Sequence, residues 1–207
     1  MSAPSNRPLF ALLALVLIAL VFSGIAPYDR FTWWAEAMPV FLGVPILLAT
    51  GRRFPLTRLL YTLLAVHAIV LLVGAQYTYA RVPIGFRVQE FLDWERNPYD
   101  RFGHLMQGFV PAVLARELLL RTSPLCPGRW LAFLVACVCL AFSAAYEMFE
   151  WWTAVATGEA AEDFLGTQGD PWDTQWDLFL CMCGALLSLA LLSRLHDREL
   201  ALLTSSA

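Results

Sequence analysis

An all-α fold is predicted here: a polytopic membrane bundle of six transmembrane helices with both termini cytoplasmic. Composition and patterning carry that prediction. Of 207 residues, 59% are hydrophobic and 15% charged, with a mean hydropathy of +0.60, whereas soluble domains carry about 25% charge. A soluble domain of this size could not hide so much apolar surface, and disorder needs the opposite composition. The apolar runs are continuous in Leu and Ala rather than alternating with period two, which argues against strands. With 12 Gly, 12 Pro and 5 Cys, collagen-like and disulfide-scaffold architectures fail as well.

Uncharged runs occupy residues 8–28, 37–51, 59–80, 102–115, 130–146 and 178–193. A spanning helix needs about 20 mostly apolar residues. The first and third runs suffice unaided; the other four reach that length by taking in a charged residue or an interfacial aromatic. The expected spans are 9–26, 32–50, 58–76, 101–121, 130–152 and 174–194, in a single integral membrane domain over 1–207. The first run resembles a signal peptide, with Arg7 ahead of it and Ser23-Gly24-Ile25-Ala26 behind. Its apolar core exceeds the usual 7–15 residues and five more spans follow, so an uncleaved span is expected. Between spans three and four, residues 77–100 mix Phe86, Phe91, Leu92 and Trp94 with alternating charges, as an interfacial helix would. Residues 153–173 are acidic and rich in Gly, and lead into the distinctive string Thr167-Gln168-Gly169-Asp170-Pro171-Trp172-Asp173-Thr174-Gln175-Trp176-Asp177.

All 14 basic residues are Arg. Six helices place both termini and the 51–57 and 122–129 connections on one side, with nine Arg; the other five (Arg30, Arg81, Arg87, Arg96 and Arg101) lie opposite. The positive-inside rule makes the richer side cytoplasmic. Of the 17 acidic residues, only Glu117, Asp197 and Glu199 fall inside. The acidic excess on the outer side needs its own explanation.

Three outer helix ends carry ionisable residues at one depth. Span four opens with Asp100 and His104, an i, i+4 pair on one face beside Arg101. Span five ends with Glu147 and Glu150, an i, i+3 pair, and span six opens with Asp170-Pro171-Trp172-Asp173, with Asp177 one turn further in. On insertion scales an Asp or Arg at mid-helix costs about 2.5–3.5 kcal/mol. Ordinary explanations cover part of the set: Asp170 and Asp173 fit a helix start, with a side-chain cap, Pro at the first position and acids at the positive end. Arg101 pairs readily with a neighbouring acid, and Glu150 suits interfacial water beside Trp151 and Trp152. Glu147, His104 and Asp177 resist such accounts. His67 in mid-span reads as a packing imidazole, and Arg116 and Glu117 as snorkelling or paired.

A histidine among carboxylates in a half-buried cup suits a divalent metal ion, its hard oxygens favouring Mg²⁺, Mn²⁺ or Ca²⁺ and its imidazole Zn²⁺ or Fe²⁺. The expected ligands are Asp100, His104, Glu147, Glu150 and Asp177. His104, Glu147 and Asp177 are also the candidates for general acid–base catalysis. Arg101, Gln168, Asp173 and Gln175 are the expected substrate-binding or charge-balancing residues. The leading expectation is a membrane-embedded hydrolase or transferase acting on lipid or envelope substrates. The alternatives are a small-solute or ion transporter with a proton relay, and a non-catalytic envelope scaffold whose acids pair with Arg96 and Arg101. Partners are the lipid bilayer and such a substrate; no basic stripe suits nucleic acid. Cys137-Val-Cys139 and Cys181-Met-Cys183 place their thiols on different faces and are expected at different depths, as reduced packing residues.

The strings Gln76-Tyr77-Thr78-Tyr79-Ala80, Asn97-Pro98-Tyr99-Asp100-Arg101-Phe102-Gly103-His104 and Gln107-Gly108-Phe109-Val110-Pro111, with Tyr146-Glu147-Met148-Phe149-Glu150-Trp151 and the 167–177 string, resemble the YjdF-like bacterial inner membrane proteins. The resemblance runs in order along nearly the whole chain and implies a multi-pass protein of the bacterial inner membrane without an assigned activity. A sparser pattern is similar to VanZ-like membrane proteins: an Asp-x-x-x-His string, a Glu on a later span and an acidic loop before the last. That similarity implies a role in the cell envelope or in glycopeptide tolerance.

Overall fold

The computed structural model describes residues 7–157 and 166–204. Among them the chain is all helical: α1 Arg7–Ile25, α2 Arg30–Thr50, α3 Arg58–Gln76, α4 Pro83–Leu92, α5 Tyr99–Thr122, α6 Arg129–Thr157 and α7 Asp173–Thr204. Five of these (α1, α2, α3, α6 and α7) are long and apolar enough to cross a membrane. The central part of the acidic connection, 158–165, lies outside the described residues.

Helix starts follow local chemistry. Asp29, in extended conformation, accepts from the Thr32 N–H at 2.6 Å and opens α2; Thr57 caps α3 through the Leu60 N–H. Arg30 closes the preceding helix by donating to the Gly24 carbonyl at 2.5 Å. α4 starts with Pro83 and ends at Asp93 in the left-handed region, φ 53°. Its exposed Ile84, Phe86, Val88 and Phe91 agree with the amphipathic segment expected there.

Two groups of helices meet at the α3–α5 contact. In the first, α1 and α2 pack on α3 around Val16, Trp33, Ala37, Leu72 and Ala75. In the second, α5, α6 and α7 close around Ala112, Leu131, Val135, Cys139, Cys181 and Ala185. The α5–α7 contact is intimate: a Cβ on Gly108 would run into the Cys181 carbonyl, and one on Gly184 into the Leu105 carbonyl. Only glycine lets the two backbones touch there. Outside, Phe10, Leu15, Ile18, Val21 and Phe22 of α1 and Phe133 and Phe142 of α6 stay exposed, as lipid-facing surfaces require.

Two expectations need correction. α7 continues to Thr204, ten residues beyond the expected end at 194. The apolar run stops there, but the helix is held further on by polar contacts of buried His196 and of Asp197 at its rim. The two cysteine pairs also do not differ in depth: the Cys181 thiol donates to the Cys139 carbonyl, and the Cys139 thiol to the Gly108 carbonyl. Cys139 and Cys181 are free and buried in packing positions, whereas Cys137 is free and exposed and Cys183 half-buried.

Candidate functional site

α5 and α7, held together at Gly108 and Gly184, bring Asp100, His104 and Asp177 to one end of the bundle, and α6 adds Glu147. His104 Nε2 lies 3.7 Å from Asp100 Oδ1, 3.7 Å from Glu147 Oε1 and 3.9 Å from Asp177 Oδ2. These separations are too long for hydrogen bonds. His104 Nδ1, Glu147 Oε1 and Asp177 Oδ1 are all buried without a hydrogen-bond partner. Buried polar atoms are nearly always satisfied, so an orphan on each of three neighbouring side chains stands out. Ligand atoms of Asp100, His104 and Asp177 all fall within 4.8 Å of one another. Neighbouring donors on a divalent ion at about 2.1–2.5 Å lie about 3–3.5 Å apart, so these three side chains would have to draw closer to hold one and would supply only part of its sphere.

Counter-charges do not reach this centre in full. Arg96 pairs with Asp173, contacts Asp100 Oδ2 at 3.5 Å and donates to the Gly166 carbonyl. Arg101 pairs with Asp170 at 2.6 Å and lies over the Trp176 ring. The two guanidiniums are thus engaged largely by the acids at the start of α7. Asp173 and Arg101, two of the residues expected to bind substrate or balance charge, are each held in an ion pair. Gln168 does something more specific: its side-chain amide accepts from the Asn97 N–H at 2.9 Å and donates to the Asn97 carbonyl at 3.0 Å. That clasp fixes the 166–170 turn onto the start of α5. Gln175 is exposed on α7, and Glu150 is buried within electrostatic range of Glu147, Asp100 and Asp177.

Several participants escaped the sequence reading. Glu36 of α2 is buried and accepts from the Tyr146 hydroxyl at 2.8 Å, linking the first group of helices to α6. An acid inside an apolar span was the available signal. Tyr79, in the α3–α4 corner with φ 50°, packs against Gly74 and Gly103. Burial, reinforced by Glu36, Tyr99, Asp100 and Glu150, holds its phenol well above the usual range. Asn97, fully buried, accepts from the Tyr99 N–H and donates to the Val82 carbonyl, tying α4 to α5.

The opposite end of α5 and α7 carries a contrasting group. Glu117 accepts from the Thr57 hydroxyl at 2.7 Å, Arg121 at 2.8 Å and His196 Nε2 at 3.0 Å, while Arg116 donates to His196 Nδ1 at 3.0 Å and to Asp197 at 2.6 Å. Arginine can only donate, so Nδ1 accepts and Nε2 carries the proton toward Glu117. The expected pairing of Arg116 and Glu117 is therefore part of a wider clasp across α3, α5 and α7. Its buried charges are bonded on every side, whereas Glu147 Oε1 and Asp177 Oδ1 beside His104 have no hydrogen-bond partner.

Residues 8–198 match the family described as "Predicted membrane protein (DUF2238)". The inner membrane protein YjdF of Escherichia coli (strain K12) is 56% identical over 188 residues, 91% of this chain and 90% of that protein. The chain belongs to this family. With five apolar helices of spanning length, it is a multi-pass inner membrane protein, as the resemblance implied. No solved structure matches the chain. The family's description carries no activity, so the chemistry rests on the geometry around His104.

Proposed function

We propose that this family member is a membrane-embedded, divalent-metal-dependent enzyme, a hydrolase or transferase working on lipid or envelope substrates at the outer face of the inner membrane. Asp100, His104, Glu147 and Asp177 are the ligands in this reading, with Glu150 beside them. The observation that carries it is the buried imidazole facing three carboxylates from three helices, with three polar atoms left unpartnered. Like charges so placed repel strongly unless a cation or protons intervene. A bound ion would supply Lewis-acid activation; Glu147 or Asp177, whichever the ion leaves free, would move the proton.

In this reading α5 is the sixth crossing. Its 24 residues reach about 36 Å, and its charged ends meet protein on α3, α6 and α7 rather than lipid. Both termini are then cytoplasmic and the His104 centre is periplasmic. Transport along α5–α7 is disfavoured, because the backbones touch at Gly108 and Gly184 between the two polar ends.

The test is elemental analysis of detergent-purified protein after dialysis, for the parent and for His104→Ala and Glu147→Gln. A stoichiometric divalent metal in the parent, falling to background in both variants while helical circular dichroism persists, is the expected result. Unchanged metal content in the variants overturns the site.

A further inference from the structure

Asp170 faces two ways. Its Oδ1 accepts from the Trp172 N–H at 2.9 Å, shaping the turn into α7. Its Oδ2 accepts from Arg101 Nη2 at 2.6 Å and lies 3.7 Å from Arg96 Nη1. Two guanidiniums, one from the start of α5 and one from the segment before it, therefore converge on a single oxygen.

The outer pair is open to solvent and the inner one is not. Side-chain exposure is 27% for Arg101 and 21% for Asp170, against 10% and 6% for Arg96 and Asp173. An ion pair in partial contact with water contributes little and exchanges easily. An open cavity of about 370 Å³ adjoins it, lined by Thr167, Gly169, Asp170, Pro171, Asp173 and Thr174. Arg101 rests 5.2 Å from the Trp176 ring centroid, a contact that holds the guanidinium in place when a carboxylate leaves. Trp172, Trp176 and Phe102 are exposed nearby, the aromatic type that settles at headgroup level.

We propose that Asp170 is an internal stand-in for an anionic substrate group, and that a phosphoryl-bearing headgroup displaces its carboxylate from Arg101 and Arg96. Guanidinium forks match phosphate oxygens bidentately, and two converging forks suit a tetrahedral dianion better than one carboxylate oxygen. The apolar part of such a molecule runs along Trp172 and Trp176. This deepens the reading of the site as a metal-dependent enzyme: Asp100 contacts both Arg96 and His104, so the phosphoryl group would lie between the arginines and the cation.

The experiment is calorimetric titration of the full-length protein in detergent and chelator with dihexanoyl phosphatidic acid, inorganic phosphate and dihexanoylglycerol. Asp170→Asn preserves the side-chain oxygen that bonds Trp172 and removes only the competing charge. It is expected to tighten phosphatidic acid by about tenfold, the size of one charge-assisted hydrogen bond. Arg101→Gln is expected to weaken that binding by a similar factor, and dihexanoylglycerol should respond to neither change. If Arg101→Gln fails to fold by circular dichroism, Arg101→Lys replaces it, with intermediate affinity expected from losing the fork but not the charge. Preference for phosphatidic acid assigns a lipid source; equal binding of inorganic phosphate with the same variant pattern assigns a soluble one. Unchanged or weaker binding in Asp170→Asn overturns the proposal, as does wild-type affinity in the Arg101 variant. Because the titrations exclude metal, failure here with normal metal uptake leaves the metal reading standing, and the reverse result leaves this one standing.

Discussion

Gly108 of α5 lies against the Cys181 carbonyl of α7, with no room for a methyl group between the two backbones. This contact, repeated where Gly184 meets Leu105, sets the register that aligns Asp100 and His104 with Asp177. Gly108→Ala should therefore push the helices apart. Overpacking costs about 1–3 kcal/mol, and the expected readouts are a lower melting temperature in detergent and loss of metal uptake together. A variant that melts normally and keeps its metal would show that the contact is dispensable.

The unpartnered acids predict an unusual stability response. In chelator, Asp177→Asn replaces a buried carboxyl that is crowded by other acids and has no hydrogen-bond partner at Oδ1. Breaking a satisfied buried pair destabilises; neutralising an unsatisfied charge relieves strain. The melting temperature of metal-free Asp177→Asn should equal or exceed that of the parent, while metal uptake disappears. A scaffold role for these acids requires the opposite, a marked drop in melting temperature.

Glu117 should behave in the reverse sense. It is fully buried and bonded by Thr57, Arg121 and His196. Removing one member of such a network typically costs about 3–5 kcal/mol. Glu117→Ala and His196→Ala are expected to lower thermal stability sharply, with the metal content of the folded fraction unchanged. Loss of metal from folded His196→Ala would tie the two ends of the bundle together in function.

The Gln168–Asn97 clasp predicts a smaller, local effect. Its two backbone-directed hydrogen bonds contribute about 1–3 kcal/mol together. Gln168→Ala should destabilise by that amount in chemical unfolding, and Gln168→Glu by at least as much, since a carboxylate cannot donate to the Asn97 carbonyl.

Orientation is testable through Cys126, which is exposed in the α5–α6 connection. A membrane-impermeant maleimide added to intact spheroplasts should leave Cys126 unlabelled and label it after permeabilisation. A version with the other four cysteines replaced by serine or alanine gives an unambiguous signal. Labelling of intact spheroplasts would reverse the topology and put the His104 centre in the cytoplasm.

Composition and apolar run length were enough to read an all-helical membrane protein, the positions of its helices and the polar positions 100, 104, 147 and 177 near helix ends. These are local properties. The free energy of placing a segment in lipid sums over its own side chains, and an acid at an apolar helix end is costly wherever its neighbours lie. Other features depended on which helix faces meet. The extension of α7 past 194 comes from a distant clasp with α3 and α5, and Glu36 enters the site region only because Tyr146 reaches it across the bundle. Asp170 looked like a cap, and it is one at Oδ1; its pairing with Arg101 is a tertiary fact. Sequence alone thus determined the solvent this chain inhabits and where along each helix its costly residues fall. The tertiary structure decided which of them share a partner, because that depends on how closely two backbones approach, and here two glycines control the approach.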